Sequence, residues 1–498
     1  MKDSTPPPPI AEAHRACPQK LTVLRCATYS GVMNHRLLAP AFFLVSVAVA
    51  SSQQRPIEFD WQNARGTVVD RLTCLDDPTQ TYALYLPSHY SPDRRWPVIY
   101  AFDPIGRGKP AVEVYQSAAE KYGYIVAGSN NSKNGPVAIQ TAAAQALWLD
   151  THRRLSIDKK RVYATGLSGG AREATYLALY CPVCAFAGVI AHGAGYPPMD
   201  SRTPPANDRF AYYVAVGDVD FNFPEIMALR RKKDEQGASF KVKVYPGPHQ
   251  WAPSPIAEDA IEWMEIKAMQ SGAEKVDTTF VRRIFERTQS EAAQSEHDGD
   301  TLAQYYALRS LVLDFKDLED VSPFEDKLAA LKTSPAWKNA NRKEQREIEL
   351  QNSLTATASN ELGRLDTEPG VARHITLVMK DLKHQEQSKG ADGIVASRAF
   401  TQLWMEGIEA GQGQFHQGHY TEAASYFSLM AEVAPDKPDP LILLAEAKVR
   451  AGDRKDALKA LEQAVQRGLQ NAKTLTDDPE LQPLASDPAF QKIVRGLT

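Results

Sequence analysis

Gly166-Leu167-Ser168-Gly169-Gly170 sets a serine between glycines two positions to either side, after the apolar run Val162-Tyr163-Ala164 and before a helical pattern. A sharp strand-to-helix turn of this kind pushes the serine hydroxyl out of a sheet, and the glycines let neighbouring backbone approach. The helix start behind it offers free N–H groups and a positive dipole end to a developing oxyanion. Ser168 is therefore the expected nucleophile; the alternative is a Gly-rich structural turn.

Such a serine needs a base and a group that orients the base. Two histidines lie between Ser168 and the end of the strand-rich region, His192 and His249. His249, in Tyr245-Pro246-Gly247-Pro248-His249-Gln250-Trp251, follows the last strand and precedes a helix, where the base belongs. His192 directly follows another strand and reads as a core or rim residue. The acid falls in Val216-Gly217-Asp218-Val219-Asp220-Phe221-Asn222, again just after a strand. Asp220 is the expected partner of His249, and Asp218 is the alternative. The oxyanion donors expected are the N–H of Gly169 and one from the loop Asp103-Pro104-Ile105-Gly106. Pro104 has no N–H, which leaves Ile105, or else Gly106. Phe221, Phe223, Tyr196 and Trp251 fall in loops that either rim the site or simply pack.

The elements that must hold these residues alternate. Short apolar runs at 67–75, 81–86, 96–102, 124–128, 161–165, 185–191, 211–216 and 241–245 read as strands. Helical patterns separate the later ones, at about 110–121, 137–155, 170 onward, 224–236 and 256–269. Strand and helix in alternation predict an α/β domain with a mostly parallel sheet and helices on both faces.

On Gly166-Leu167-Ser168-Gly169-Gly170, Gly217-Asp218-Val219-Asp220 and Pro248-His249, the sequence resembles the α/β-hydrolase superfamily over about 57–270. More narrowly, it is similar to secreted, lidless esterases of the feruloyl esterase and polyhydroxybutyrate depolymerase-like kind. The first loop departs from that pattern, reading Asp103-Pro104-Ile105-Gly106 where many esterases have a His-Gly pair. No long insertion suggesting a cap follows the sixth strand, so a site open to bulky substrates is expected.

From Val276 onward the strand pattern disappears and charged helical stretches take over. Near the end Gly418, Ala423, Phe427 and Met430 are matched by Gly452, Ala457, Leu461 and Ala464, each 34 residues later. This resembles a tetratricopeptide repeat, with units at 404–437 and 438–471. Two units rarely suffice alone, so they are expected to stack on the preceding helices. His416 and His419 lack an acidic or thiol partner and make a poor metal site; no metal or cofactor is implied.

At the other end, Met33-Asn34-His35-Arg36 precedes an apolar run of 14 residues, Leu37 to Ala50, closing on Ala48-Val49-Ala50. Basic start, apolar stretch and A-x-A boundary predict a secretory signal peptide at 33–50, too short to span a membrane. Secreted or periplasmic placement follows. The expected domains are a leader (1–50), a catalytic domain (51–272), a helical linker (273–392) and the repeat region (393–498).

Composition is permissive. The 498 residues are 43% hydrophobic and 24% charged, which excludes wholesale disorder and a polytopic membrane protein. A net charge of -4 gives no nucleic-acid footprint. Five cysteines are too few for a disulfide scaffold, and Cys181-Pro182-Val183-Cys184 reads as a structural disulfide or two buried thiols. The function expected is hydrolysis of carboxylic esters through Ser168, Asp220 and His249, with the repeats making protein contacts or self-association. The alternatives are a serine peptidase with the same triad and a non-catalytic binding protein built on the same scaffold.

Overall fold

The computed structural model describes residues 60–181, 184–197 and 209–497. The leader and the signal peptide expected at 33–50 lie outside the described residues.

After a single helical turn, α1 (Trp61–Ala64), an eight-stranded sheet forms in the order β1-β2-β4-β3-β5-β6-β7-β8. Its strands are β1 (Val68–Thr73), β2 (Thr81–Tyr85), β3 (Trp96–Phe102), β4 (Ile125–Ser129), β5 (Ile157–Leu167), β6 (Gly188–His192), β7 (Ala211–Gly217) and β8 (Phe240–Tyr245). β1 and β2 are antiparallel to their neighbours, and from β4 to β8 every pairing is parallel. Five helices cover it: α2 (Gly108–Tyr122), α3 (Val137–Arg154), α4 (Gly169–Tyr180), α5 (Phe223–Glu235) and α6 (Ser254–Gln270). This is the α/β-hydrolase fold.

The strand pattern explains the layers. β3, β4 and β6 are buried along their whole length, as strands covered on both faces must be. Alternate residues of β7 serve opposite faces: Tyr212, Val214 and Val216 pack with α3, α4 and α5, while Tyr213 and Ala215 pack with α2 and α6.

The rest is helical: α7 (Thr278–His297), α8 (Thr301–Asp314), α9 (Ser322–Thr333), α10 (Pro335–Leu362), α11 (Ala372–Gln385), α12 (Ala391–His416), α13 (Tyr420–Val433), α14 (Asp439–Arg450) and α15 (Arg454–Gln466), then short C-terminal turns. The repeat is visible in backbone geometry, since Gly418 and Gly452 end equivalent helices at φ 84° and 83°. Helices α12 and α13 cross closely because Gly411 has no side chain; a Cβ there would lie 2.6 Å from the Phe427 ring.

This half packs directly on the α/β body. Ile348 of α10 joins the core beneath α5, Glu344 accepts from Arg230 at 2.5 Å, and Arg309 of α8 pairs with Asp234 at 2.6 Å. Among the described residues, no helix is long and apolar enough to cross a membrane.

Candidate active site

Ser168 sits between β5 and α4 at φ 54° and ψ -119°, a conformation that non-glycine residues rarely adopt. The flanking glycines explain how the turn closes. A Cβ on Gly166 would lie 2.1 Å from the Gly170 carbonyl carbon, and one on Gly170 would lie 2.0 Å from the Phe102 oxygen. The Ser168 N–H donates to the His192 carbonyl at 2.9 Å, which ties the turn to the end of β6.

Asp220 and His249 meet beside that same strand end. Nδ1 of His249 lies 2.9 Å from each Asp220 carboxylate oxygen. Asp220 is fully buried, and its Oδ1 also accepts the Asn222 N–H at 2.8 Å. The other imidazole nitrogen, Nε2, is buried and has no hydrogen-bond partner among the described residues. The Phe221 ring packs on the imidazole, 4.3 Å between centroids. Gly193 leaves room for both side chains, since a Cβ there would fall 2.7 Å from Asp220 and 2.9 Å from His249. Asp218 does something else: its Oδ1 accepts the Gly247 N–H at 2.9 Å and pins the loop that carries His249.

His192 is fully buried. Its Nε2 lies 2.6 Å from the Tyr115 hydroxyl, and its Nδ1 accepts the Ala252 N–H at 3.3 Å. Burial lowers its pKa to about 3, so it stays neutral and structural.

The loop after β3 departs from expectation. Ile105, expected to donate to an oxyanion, gives its N–H to Asp103 Oδ1 at 3.0 Å, and the alternative, Gly106, gives its own to the Asp103 carbonyl at 3.0 Å. The cause is Asp103, buried and also held by Arg107 and by Trp251 Nε1, which turns back on its own loop. A residue from the next loop takes the neighbouring position. Asn134 donates its N–H to the Pro104 carbonyl at 2.8 Å, and its amide lies against Gly169, where a Cβ would sit 1.8 Å from Oδ1. The sequence does carry a faint signal for it, Asn130-Asn131-Ser132-Lys133-Asn134-Gly135 directly after β4.

Of the aromatic residues, Phe221 faces the site. Phe223 is buried beneath the Arg398 guanidinium, Tyr196 packs on Tyr212, and Trp251 packs on His192. Cys181 and Cys184, at the far end of α4, form a disulfide. Among the described residues, no three His, Cys, Asp or Glu side chains converge to hold a metal ion.

Ser168 opens into a cavity of about 1000 Å³. One wall is the α/β body, with Asn134, Arg172, Tyr176 and Phe221. The opposite wall comes from the helical half: Asn352 of α10, and Gln402, Met405, Glu406, Glu409 and His416 of α12. The open site expected from the lack of an insertion is thus corrected, because the cover comes from helices far along the chain. Polar bonds fix it there. Gln351 Nε2 donates to the Phe221 carbonyl at 3.0 Å, and Arg398 Nε to the Asp218 carbonyl at 2.6 Å.

A tetratricopeptide-repeat family model matches residues 414–475. No curated protein matches the sequence. Among solved structures, the chain is similar to an S-formylglutathione hydrolase from Staphylococcus aureus at 13% identity and TM-score 0.32, over 40% of this chain and 96% of that one. It is similar to a ferulic acid esterase at 18% identity and TM-score 0.32, over 40% and 97%. An isopeptidase matches at 17% identity and TM-score 0.31, over 41% of this chain and 40% of the other.

Proposed function

We propose that the chain is a serine hydrolase that cleaves carboxylic esters through an acyl-enzyme on Ser168. One observation carries the reading: an imidazole gripped through Nδ1 by a buried carboxylate, its Nε2 without a partner among the described residues, beside a strained serine turn that opens into a cavity. His249 takes the Ser168 proton as the hydroxyl attacks the ester carbonyl, then returns it to the departing alcohol. Asp220 fixes the tautomer and stabilises the imidazolium. The Gly169 N–H, at the start of α4, and the Asn134 side-chain amide receive the oxyanion. Water, activated in turn by His249, releases the acid.

The chain is exported by the segment at 33–50, and the Cys181–Cys184 disulfide suits an oxidising compartment. The repeat helices α13 to α15 are left to contact protein or a second copy of the chain.

The test is covalent labelling. A fluorophosphonate should modify one residue, Ser168, and abolish hydrolysis of short-chain aryl esters, while Ser168→Ala should neither label nor turn over. Labelling elsewhere, or an active Ser168→Ala protein, would overturn the reading.

A further inference from the structure

The cavity in front of Ser168 is unevenly charged. Among the described residues, four carboxyl groups line it, Glu173 and Glu225 from the body and Glu406 and Glu409 from α12, against one guanidinium, Arg172; burial keeps Glu173 protonated below about pH 8, so the charge comes from the other three. Arg172 is matched within the wall, since its two terminal nitrogens reach the Glu225 oxygens at 2.9 and 2.7 Å. Glu406 and Glu409 remain, three residues apart and so neighbours on one face of α12. Glu406 accepts from Gln402 at 2.9 Å, a neutral donor. Glu409 is open to the cavity, and burial by the walls, helped by Glu406, raises its pKa against the pull of Arg172 and His249.

A second observation points to an occupant. Glu173 is 6% exposed and lines the same cavity. One of its oxygens bonds the Ser132 hydroxyl, while Oε1 has no partner among the described residues. A buried polar atom left unpaired costs free energy unless something fills the place opposite it.

We infer that the cavity selects substrates whose acyl part carries a protonated amine, held between Glu406 and Glu409 while Ser168 attacks the carbonyl. An ammonium group brings three donors and a positive charge to a wall made of acceptors. This deepens the esterase reading and rests on Ser168 as nucleophile. It also gives α12 a part in specificity that a pure docking module would not have.

The experiment compares methylumbelliferyl esters of ω-amino acids of increasing length with esters of the matched unsubstituted acids, at about pH 6.5 so that the amines are charged. The best amino ester should exceed its neutral partner about ten-fold or more in kcat/KM, since a hydrogen bond to a charged group is worth about one decade or two. That ratio should fall about ten-fold in Glu409→Gln and in Glu406→Gln, each with an unchanged near-UV dichroism spectrum. The idea is overturned if no amino ester exceeds its neutral partner, or if the preference survives both substitutions. If neither series shows Ser168-dependent turnover, the hydrolase reading itself has failed.

Discussion

Arg398 donates from Nε to the carbonyl oxygen of Asp218 at 2.6 Å, across 180 residues of sequence. Its guanidinium lies over the Phe223 ring at 3.7 Å. The loop that carries Asp220 is thereby clamped by a helix of the C-terminal half. Burial lowers the Arg398 pKa to about 10, which leaves it charged at neutral pH. Arg398→Met keeps the apolar stem over Phe223 and removes the donor. Turnover of a neutral ester should fall about ten-fold with little change in KM, because misplacing a catalytic group weakens the transition state more than the ground state. An unchanged kcat would mean that the loop holds its shape without the clamp.

The two aspartates of that loop separate cleanly by partner. Asp220 addresses His249 with both oxygens, whereas Asp218 accepts from a backbone N–H. Asp220→Asn should cost about four decades in turnover, since an amide cannot stabilise the imidazolium. Asp218→Asn keeps an oxygen for the Gly247 N–H and should cost about ten-fold or less. Steady-state kinetics on both folded variants decide it, and a larger loss in Asp218→Asn would move the acid two residues back.

His192 makes an acid-side prediction. Its folded pKa of about 3 lies below an ordinary 6.5, so between those values the unfolded chain binds the extra proton. Stability attributable to this site is complete above about pH 6.5 and is lost as pH falls towards 3. His192→Gln cannot titrate. Its melting temperature should lie below wild type at neutral pH, through the lost Tyr115 packing, and converge on it near pH 4. Curves that stay parallel would show that His192 does not govern the acid slope.

What the chain disclosed of itself follows the range of the interactions concerned. Strand and helix periodicity is local, and the expected elements match the observed ones to within a few residues; β5 runs longer, Ile157–Leu167, because its first half lies at the sheet's end where apolar alternation is absent. The meeting of Asp220 with His249 was legible because each residue follows a parallel strand, and parallel strands deliver their C-terminal ends to one edge. Asn134 was not, since its approach to Gly169 depends on the loop after β3 folding onto the loop after β4. The wall made by Gln402, Glu406 and Glu409 was beyond reach. On sequence alone α12 is a repeat helix with a small-residue crossing at Gly411, and nothing local says that its face from Gln402 to His416 turns towards Ser168.

Glu173 closes the set on the alkaline side. Burial raises its carboxyl from an ordinary 4.5 to about 8, opposed by the bond from Ser132. Between those values the folded protein keeps a proton that the unfolded chain has released, so stability falls as pH rises from about 4.5 to 8 and then levels off. Glu173→Gln presents the same acceptor to Ser132 and has no proton to lose. Its melting temperature should match wild type near pH 5 and exceed it by several degrees near pH 8.5, given about 2–4 °C per kcal/mol for a domain of this size. The alkaline slope should shrink rather than vanish, because Glu446, raised to about 8 by burial and by Asp478, contributes a slope of the same sign. A double variant with Glu446→Gln should flatten it further. If the Glu173→Gln and wild-type curves run parallel from pH 5 to 8.5, Glu173 is ionised in the folded protein, and its carboxylate must then be met by a cation in the cavity.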